Sequence, residues 1–184
     1  KFVTYFVVVA TIMWSLGLAA VVPASAAYTP VEGDLVKTAT DSAVYYIDAD
    51  GERNLFVNGV TFWTWYSGTW SAIKFGTATK TIKTISQGDF DTLTAGGHVV
   101  VRPGVKLIKF QNSPKVYAVT PGSVLKEVVT SGGNAAVATA LYGSGYASRI
   151  ITIQNGFEND YTKGTALTAA SSLPDGSLVK YAAS

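Results

Sequence analysis

Aromatic rings are the most concentrated chemical groups in this sequence. Residues 62–66 read Phe-Trp-Thr-Trp-Tyr, and Trp70 follows shortly after them. Rings of this kind stack on sugars or pack at contacts between proteins. In a β-strand the two tryptophans of the run would share one face, and its phenylalanine and tyrosine would share the other. We therefore expect Trp63, Trp65 and Trp70 to be intersubunit or ligand-binding aromatics, with packing favoured over ligand binding.

Two polar features could suggest a metal or a catalytic site. His98 is the only histidine and there is no cysteine, so His98 cannot by itself build a metal site or a catalytic triad. Asp48, Asp50 and Glu52 resemble the start of a calcium loop, but its twelfth position, which needs a glutamate, would be Gly59. We expect a structural role for the histidine and a plain turn at 48–51, with a calcium site completed from elsewhere as the alternative.

The composition narrows the function classes. Charged residues make up 14% of the chain, well below the roughly 25% of ordinary soluble proteins. The net charge is +2 and no cluster of Lys and Arg occurs, which argues against a nucleic-acid partner. Neither a phosphate loop nor an acid pair at diagnostic spacing is found. We therefore expect no catalytic, cofactor-binding or metal-binding residues, no cofactor and no enzymatic activity.

A long apolar run opens the chain. Residues 2–22 carry no charge and predict a helix that is apolar on every face, which suits the core of an assembly or a lipid bilayer. Such a helix would be roughly 30 Å long, the thickness of a bilayer core. We expect an assembly or membrane helix over residues 1–23, ended by Pro23, and a linker over residues 24–32. The side chains expected to form the assembly surface of this helix are Phe2, Val3, Tyr5, Phe6, Val7, Val9, Ile12, Met13, Trp14, Leu16, Leu18, Val21 and Val22.

The same run also has features of a cleaved signal peptide. A positive residue, an apolar core and Ala24-Ser25-Ala26 fit cleavage near Ala26 or Ala27. The run is longer, however, than the roughly 7–15 apolar residues typical of signal peptides. We therefore expect the segment to be retained and keep cleavage as the alternative.

From residue 33 onward, short apolar runs alternate with turn residues, which predicts a mainly β region. Predicted strands cover 43–47, 54–57, 60–66, 98–102, 106–110, 115–119 and 123–129. Predicted short helices cover 88–93 after Ser86 and 135–142 after Asn134. The predicted fold class is α+β: one N-terminal hydrophobic helix followed by a mainly β domain over 33–184.

An internal repeat is the most informative pattern in this β region. Leu35-Val36-Lys37 returns as Leu107-Ile108-Lys109, and Val44-Tyr45 returns as Val116-Tyr117, both at a spacing of 72. The repeats are expected at about 33–103 and 104–173, with a partial third copy at 174–184. The strand that opens this third copy would either close its own domain or pair with a neighbouring subunit.

Two resemblances accompany these patterns. The runs at 43–51, 62–66, 96–109 and 114–119 resemble a repeat module of surface proteins from ultra-small candidate-phylum bacteria, which implies an exported protein without known catalysis. The N-terminal run resembles the helix of type IV pilin-like or archaellin-like subunits, which implies packing of that helix in a filament core. Tyr5 stands where bacterial pilins place a glutamate.

Together these observations predict a structural subunit of an extracellular pilus-like filament. Its partners would be copies of itself, the membrane before assembly, and a surface or glycan ligand. One alternative is a membrane-anchored cell-surface module that uses residues 2–22 as a permanent anchor. The other is a secreted adhesin or glycan-binding domain that is released by cleavage near Ala26 or Ala27.

Overall fold

The computed structural model describes residues 27–174 and Ser177. The predicted helix at 2–22 and most of the predicted third copy lie outside the described residues. The described chain is mainly β and contains three sheets.

Residues 33–99 form what we call the first unit. Its strands are β1 (Leu35–Thr38), β2 (Tyr45–Ile47), β3 (Arg53–Phe56), β4 (Ser67–Thr69), β5 (Ala72–Phe75), β6 (Ala78–Lys80), β7 (Ile82–Ile85) and β8 (Ala95–Val99), and its helices are α1 (Gly59–Trp65) and α2 (Gln87–Thr92). Five strands make one sheet in the order β7-β1-β2-β3-β8, and the others make a small sheet in the order β4-β5-β6.

Residues 104–163 form what we call the second unit. Its strands are β9 (Leu107–Phe110), β10 (Val116–Thr120), β11 (Val124–Val129), β12 (Ile150–Ile153) and β13 (Thr162–Lys163), its helix is α3 (Ala136–Tyr142), and 3-10 helices cover Pro121–Ser123, Ser144–Arg149 and Asn155–Asp160. The strand order is β12-β9-β10-β11-β13. This order matches the first unit, position for position.

The register of the two large sheets also corresponds. Leu35 lies opposite Tyr46 in the antiparallel pair β1–β2, and its repeat counterpart Leu107 lies opposite Ala118 in β9–β10. The β2–β3 pairing recurs in β10–β11 at the same spacing of 72. Both outer parallel pairings recur as well, but their outer strands are 68 residues apart, since Ile82 corresponds to Ile150 and Ala95 to Lys163.

Both faces of each large sheet are covered. Leu35 and Val36 are neighbours on β1, and they are buried in separate clusters, one with residues of α1 and the other beside α2. On β9, Leu107 and Ile108 are likewise buried in separate clusters, and the cluster of Leu107 includes Ala138 of α3. Neighbouring residues point to opposite faces of a strand, so two adjacent apolar residues need a cover on each side.

The predicted strand at 60–66 is wrong, because residues Gly59–Trp65 form helix α1. Asn58 is its N-cap, and the Asn58 side-chain oxygen accepts the backbone N–H of Thr61. The apolar run fits a period of 3.6 as well as a period of 2, since Phe62 and Tyr66 are one helical turn apart and join one core cluster. The Asn-Gly pair at 58–59 therefore starts a helix rather than a hairpin.

Most other predicted elements are confirmed with shifted ends. The predicted helices 88–93 and 135–142 correspond to α2 and α3, and Ser86 caps α2 as expected. Asn134 accepts the N–H of Ala136, and it lies just before the cap position that the structure assigns to Ala135. The strand expected at 98–102 is wrong in its second half, because β8 ends at Val99 and Val101 instead enters the second core.

Residues 100–102 join the two units through hydrogen bonds to both. The Trp65 indole N–H of the first unit donates to the Val100 carbonyl oxygen at 2.7 Å, and the Arg102 N–H donates to the Thr64 hydroxyl at 3.0 Å. Between them, the Val101 N–H donates to the Tyr161 hydroxyl of the second unit at 3.2 Å, and Val101 is fully buried. The connection is therefore packed and hydrogen-bonded.

The residues just before β1 are also held in place by side-chain hydrogen bonds. Asp34 accepts hydrogen bonds from the Lys83 ammonium and the Tyr28 hydroxyl, both at 2.7 Å to the same carboxylate oxygen. Burial alone would raise the pKa of Asp34, but these two hydrogen bonds and the charges of Lys83 and Lys80 hold the pKa below its usual value. The ionised carboxylate therefore stabilises the folded state.

Replacing Trp65 tests the connection between the units. We expect Trp65→Phe to lower the free energy of unfolding by about 1 kcal/mol, because the Val100 carbonyl loses its donor while most of the packing is kept. Trp70→Phe is the matched control, since Trp70 is 56% exposed. Urea unfolding curves of both variants measure the difference. An effect of Trp65→Phe no larger than that of Trp70→Phe would contradict the structural role of this bond.

Acid tests the carboxylate of Asp34. Its pKa is lowered on folding, so its contribution to stability is present above the pKa of the unfolded chain, about 3.9, and is lost as the pH falls through the lower folded value. We expect Asp34→Asn to destabilise the protein at pH 7 and to approach wild-type stability near pH 2. Lys83→Met should weaken the same pH dependence. A penalty for Asp34→Asn that does not vary with pH would refute this role.

Candidate binding groove in the first unit

A groove with a volume of about 870 Å³ opens at one end of the first unit. Its walls are the end of β1, the loop at 39–44, the end of β3, the start of α1 and one side of the β4-β5-β6 sheet. Small-molecule sites are typically concave and enclose about 300–1,000 Å³, with apolar walls and a few polar groups. This groove therefore has the dimensions of a ligand site.

Trp70 forms an aromatic platform at the edge of the groove. It lies in the short loop between Thr69 and Ala72, which face each other across β4 and β5. The Trp70 ring stacks on Phe62, with ring centroids 4.9 Å apart and planes 28° apart, and Trp63 leans against both rings. Phe62 is buried while 56% of Trp70 is exposed. The platform is thus anchored in the core and open to solvent.

Gly68 makes the hairpin beneath Trp70 possible. Its φ is +99°, and a Cβ at this position would lie 2.1 Å from the Ala72 carbonyl oxygen. Residues with a side chain rarely adopt such a conformation, and that contact would require the backbone to move. Gly76, at the turn between β5 and β6, has a φ of +63° but nothing within 4 Å of a Cβ. The two glycines therefore differ mainly in how closely the backbone approaches them.

Polar side chains ring the groove. Asp41 uses one carboxylate oxygen to accept the Ala43 N–H at 2.9 Å, and Asn58 uses its side-chain oxygen to accept the Thr61 N–H at 2.8 Å. The second oxygen of Asp41 and the amide NH₂ of Asn58 have no hydrogen bond among the described residues. The rim also includes Ser42, Ser71, Thr79, Thr81, Lys37 and Lys80. Hydroxyl, amide, carboxylate and ammonium groups all face this space.

A smaller cavity of about 270 Å³ also borders the small sheet, and Phe56 and Lys80 line both spaces. Its walls include Tyr46, Trp65, Tyr66 and Phe75. Burial raises the pKa of Tyr66 to about 12, and burial together with the nearby carboxylates of Glu32 and Asp48 raises the pKa of Tyr46. Both phenols therefore stay protonated near neutral pH and keep their O–H donors.

The corresponding position of the second unit is nearly closed. There, a space of about 10 Å³ is bordered by Ala118, Tyr142 and Arg149. Ala118 corresponds to Tyr46 at the spacing of 72, and the Arg149 guanidinium lies over the Tyr142 ring at 5.9 Å. The 3-10 helix Ser144–Arg149 connects α3 to β12 where the first unit has its small sheet.

The three predicted ligand or contact aromatics have different environments. Trp63 is half-buried against Phe62 and Trp70, and the Trp65 indole N–H donates a hydrogen bond to the Val100 carbonyl. The expectation that Trp63 and Trp65 share a strand face is wrong, because both belong to helix α1. Trp70 is the most exposed of the three.

The polar features singled out in the sequence serve structure. One oxygen of Asp48 accepts the N–H groups of Asp50 and Glu52, and its other oxygen accepts the Asn54 amide. These bonds lower the pKa of Asp48, the N–H of Glu52 contributing most. Within residues 27–174, His, Asp and Glu side chains nowhere form a group of three or more that could hold a metal ion.

His98 lies at the contact between the two units. Its Nδ1 is 3.0 Å from a carboxylate oxygen of Asp160, and its ring meets the edge of the Phe157 ring, with centroids 5.0 Å apart. His98 belongs to the last strand of the first unit, and both partners belong to the second unit. The geometry agrees with the structural role expected from the sequence.

Sequence reasoning missed most of the groove. Lys37 belongs to β1, Asp41 to the loop after it, and Thr79 to β6, and no spacing in the sequence links these elements. The one available signal was local: Gly68 and the short turn between Thr69 and Ala72 leave a tryptophan at the tip of a hairpin.

The predicted assembly residues at 2–22 lie outside the described residues, and no helix within the described part is both long and apolar enough to cross a bilayer. Comparisons with protein families, curated proteins and solved structures found no match to the chain.

Proposed function

We propose that the chain is a structural subunit of an extracellular filament, in which residues 2–22 of many copies pack as helices in the core. The observation that carries this proposal is the charge-free run at 2–22, followed by a short linker and a β-rich region. A helix that is apolar on every face requires an apolar environment, either lipid or other helices.

Burial of the helix at residues 2–22 would stabilise the assembly strongly. Burying apolar surface contributes about 25 cal/mol per Å², so a fully buried helix of this length contributes on the order of tens of kcal/mol before entropy is subtracted. The same helix would hold the subunit in the membrane before assembly. One segment thus fits both environments that an exported filament subunit passes through.

In this proposal the two units are copies of one repeat and form the outer layer of the filament. Their matching register and the hydrogen bonds of residues 100–102 support a stiff two-unit body. A stiff outer body can transmit lateral contacts along a polymer without changing shape. The alternatives remain a membrane-anchored surface module and a secreted glycan-binding domain.

Surface shearing tests the proposal directly. Cells are sheared, the released material is pelleted at high speed, and the pellet is examined by electron microscopy and intact mass. We expect filaments that resist mild detergent and contain a chain that retains residues 2–22. A chain that begins near Ala27 would support the secreted domain instead. An intact chain that dissolves fully in detergent would support the membrane anchor.

A charged substitution within residues 2–22 then tests whether this segment drives assembly. We expect Leu16→Arg to abolish pelleting, because a charge at the centre of an apolar helix costs about 2.5–3.5 kcal/mol even in the permissive setting of membrane insertion. Thr77→Arg, in the exposed turn between β5 and β6, is the matched control and should pellet normally. Normal filaments of Leu16→Arg would refute a buried helix, provided that equal amounts of both variants reach the membrane fraction.

A further inference from the structure

We infer that the groove of the first unit binds an oligosaccharide, with Trp70 as the stacking platform. This site is additional to the filament proposal and does not depend on it. The inference rests on three features: an anchored but exposed indole, a rim of hydrogen-bonding groups, and the restriction of the supporting hairpin to one of two units with the same strand order and register.

The exposed indole suits the apolar face of a sugar ring. The face of an aromatic ring carries negative charge density, which attracts the positively polarised C–H groups that line one face of a pyranose. Trp70 rests on Phe62, and more than half of its surface remains open. A platform already held by the core loses little conformational freedom on binding.

The rim suits the hydroxyl groups of a sugar. Asp41 has a free carboxylate oxygen among the described residues, Asn58 has a free amide NH₂, and Thr79 has a hydroxyl that can both donate and accept. Sugars present the same mixture of donors and acceptors around an apolar face. The Lys80 ammonium donates to the Gly33 carbonyl at 3.4 Å, on the wall of the smaller cavity, so the charges that remain on the groove wall are Lys37 and Asp41, which balance. Neutral oligosaccharides should therefore bind at least as tightly as chains that contain uronic acids.

The two units together show that the fold does not require this hairpin. The second unit has the same strand order and register, yet it connects α3 to β12 through the short 3-10 helix Ser144–Arg149. A sheet of this plan therefore needs no β4-β5-β6 insertion. The insertion positions Trp70 and supplies Ser71, Thr79 and Lys80 to the groove wall.

The test uses the full chain in lauryldimethylamine oxide, a detergent without a sugar headgroup. Hexagalacturonate and cellohexaose are titrated separately and followed by isothermal calorimetry and saturation-transfer NMR. We expect cellohexaose to bind, and its affinity to stay nearly constant as salt is added, because the charges of the wall balance. Hexagalacturonate should bind no more tightly than cellohexaose, and tighter binding would overturn this charge balance. Absence of cellohexaose binding at millimolar concentration would overturn the inference.

Variants locate the site. Trp70→Ala should weaken binding about tenfold, the upper end of what one aromatic contact supplies. Phe75→Ala is the matched control, because Phe75 belongs to the same small sheet, is 47% exposed and borders the other cavity. It should change affinity less than twofold. Wild-type affinity of Trp70→Ala would refute the platform, and thermal unfolding of each variant checks that it is folded.

A second pair of variants keeps Trp70 and tests whether its position matters for binding. Gly68→Ala should weaken binding, because its Cβ would collide with the Ala72 carbonyl and displace the hairpin loop. Gly76→Ala has room for its Cβ and should bind nearly as well as the wild type. Equal affinities of the two variants would contradict a site that depends on the position of Trp70. Pelleting of all variants tests the filament proposal separately, since none of them alters residues 2–22.

Discussion

The architecture depends on burying both faces of two five-stranded sheets. Adjacent apolar residues on β1 and on β9 point to opposite sides, and each is almost fully buried. Such strands cannot face water on either side, so the chain must cross from one edge of the sheet to the other and leave helical elements on both faces. The parallel pairings of β7 with β1 and of β12 with β9 follow from these crossings.

The two units meet this requirement with different residues. In the second unit the cover next to β9 is a small-residue helix, with Ala138 fully buried against the sheet. In the first unit the corresponding helix carries large rings, and Phe62 packs between Phe56, Tyr66 and the tryptophans. Ile73 of the small sheet is buried in the same cluster as Leu35 and Phe56 of the main sheet, and the groove opens beside this contact. The groove is thus a consequence of how one face is covered.

The two proposals assign different tasks to different parts of the chain. Assembly would rest on an apolar segment that lacks charged groups and recognises only similar surfaces. Ligand binding would rest on a polar-rimmed groove with a single exposed indole, in a β region held together by residues 100–102. A filament that repeats such a groove along its length would present many copies to one polymer, and many weak contacts then act together.

The sequence by itself determined the features that depend on neighbouring residues or on a repeat. The spacing of 72, the cap of α2 at Ser86, the turn at 48–51 and the strands β2, β3, β9, β10 and β11 could be predicted, because caps and turns act over a few residues. The helix at Gly59–Trp65 was not predicted, because its apolar residues fit both periods, and the Asn58 cap together with packing against β3 selects the helix. The exchange of strand for helix also misplaced Trp63 and Trp65.

Tertiary structure alone decided the groove. Asp41, Asn58 and Thr79 lie far apart in the sequence and meet only when the loop after β1, the start of α1 and the small sheet come together. Long-range contacts of this kind depend on chain crossings that no local pattern encodes. Trp70 shows both contributions: the sequence singles it out as a candidate contact or ligand aromatic, and the turn between β4 and β5 with its stacking on Phe62 decides which way it faces.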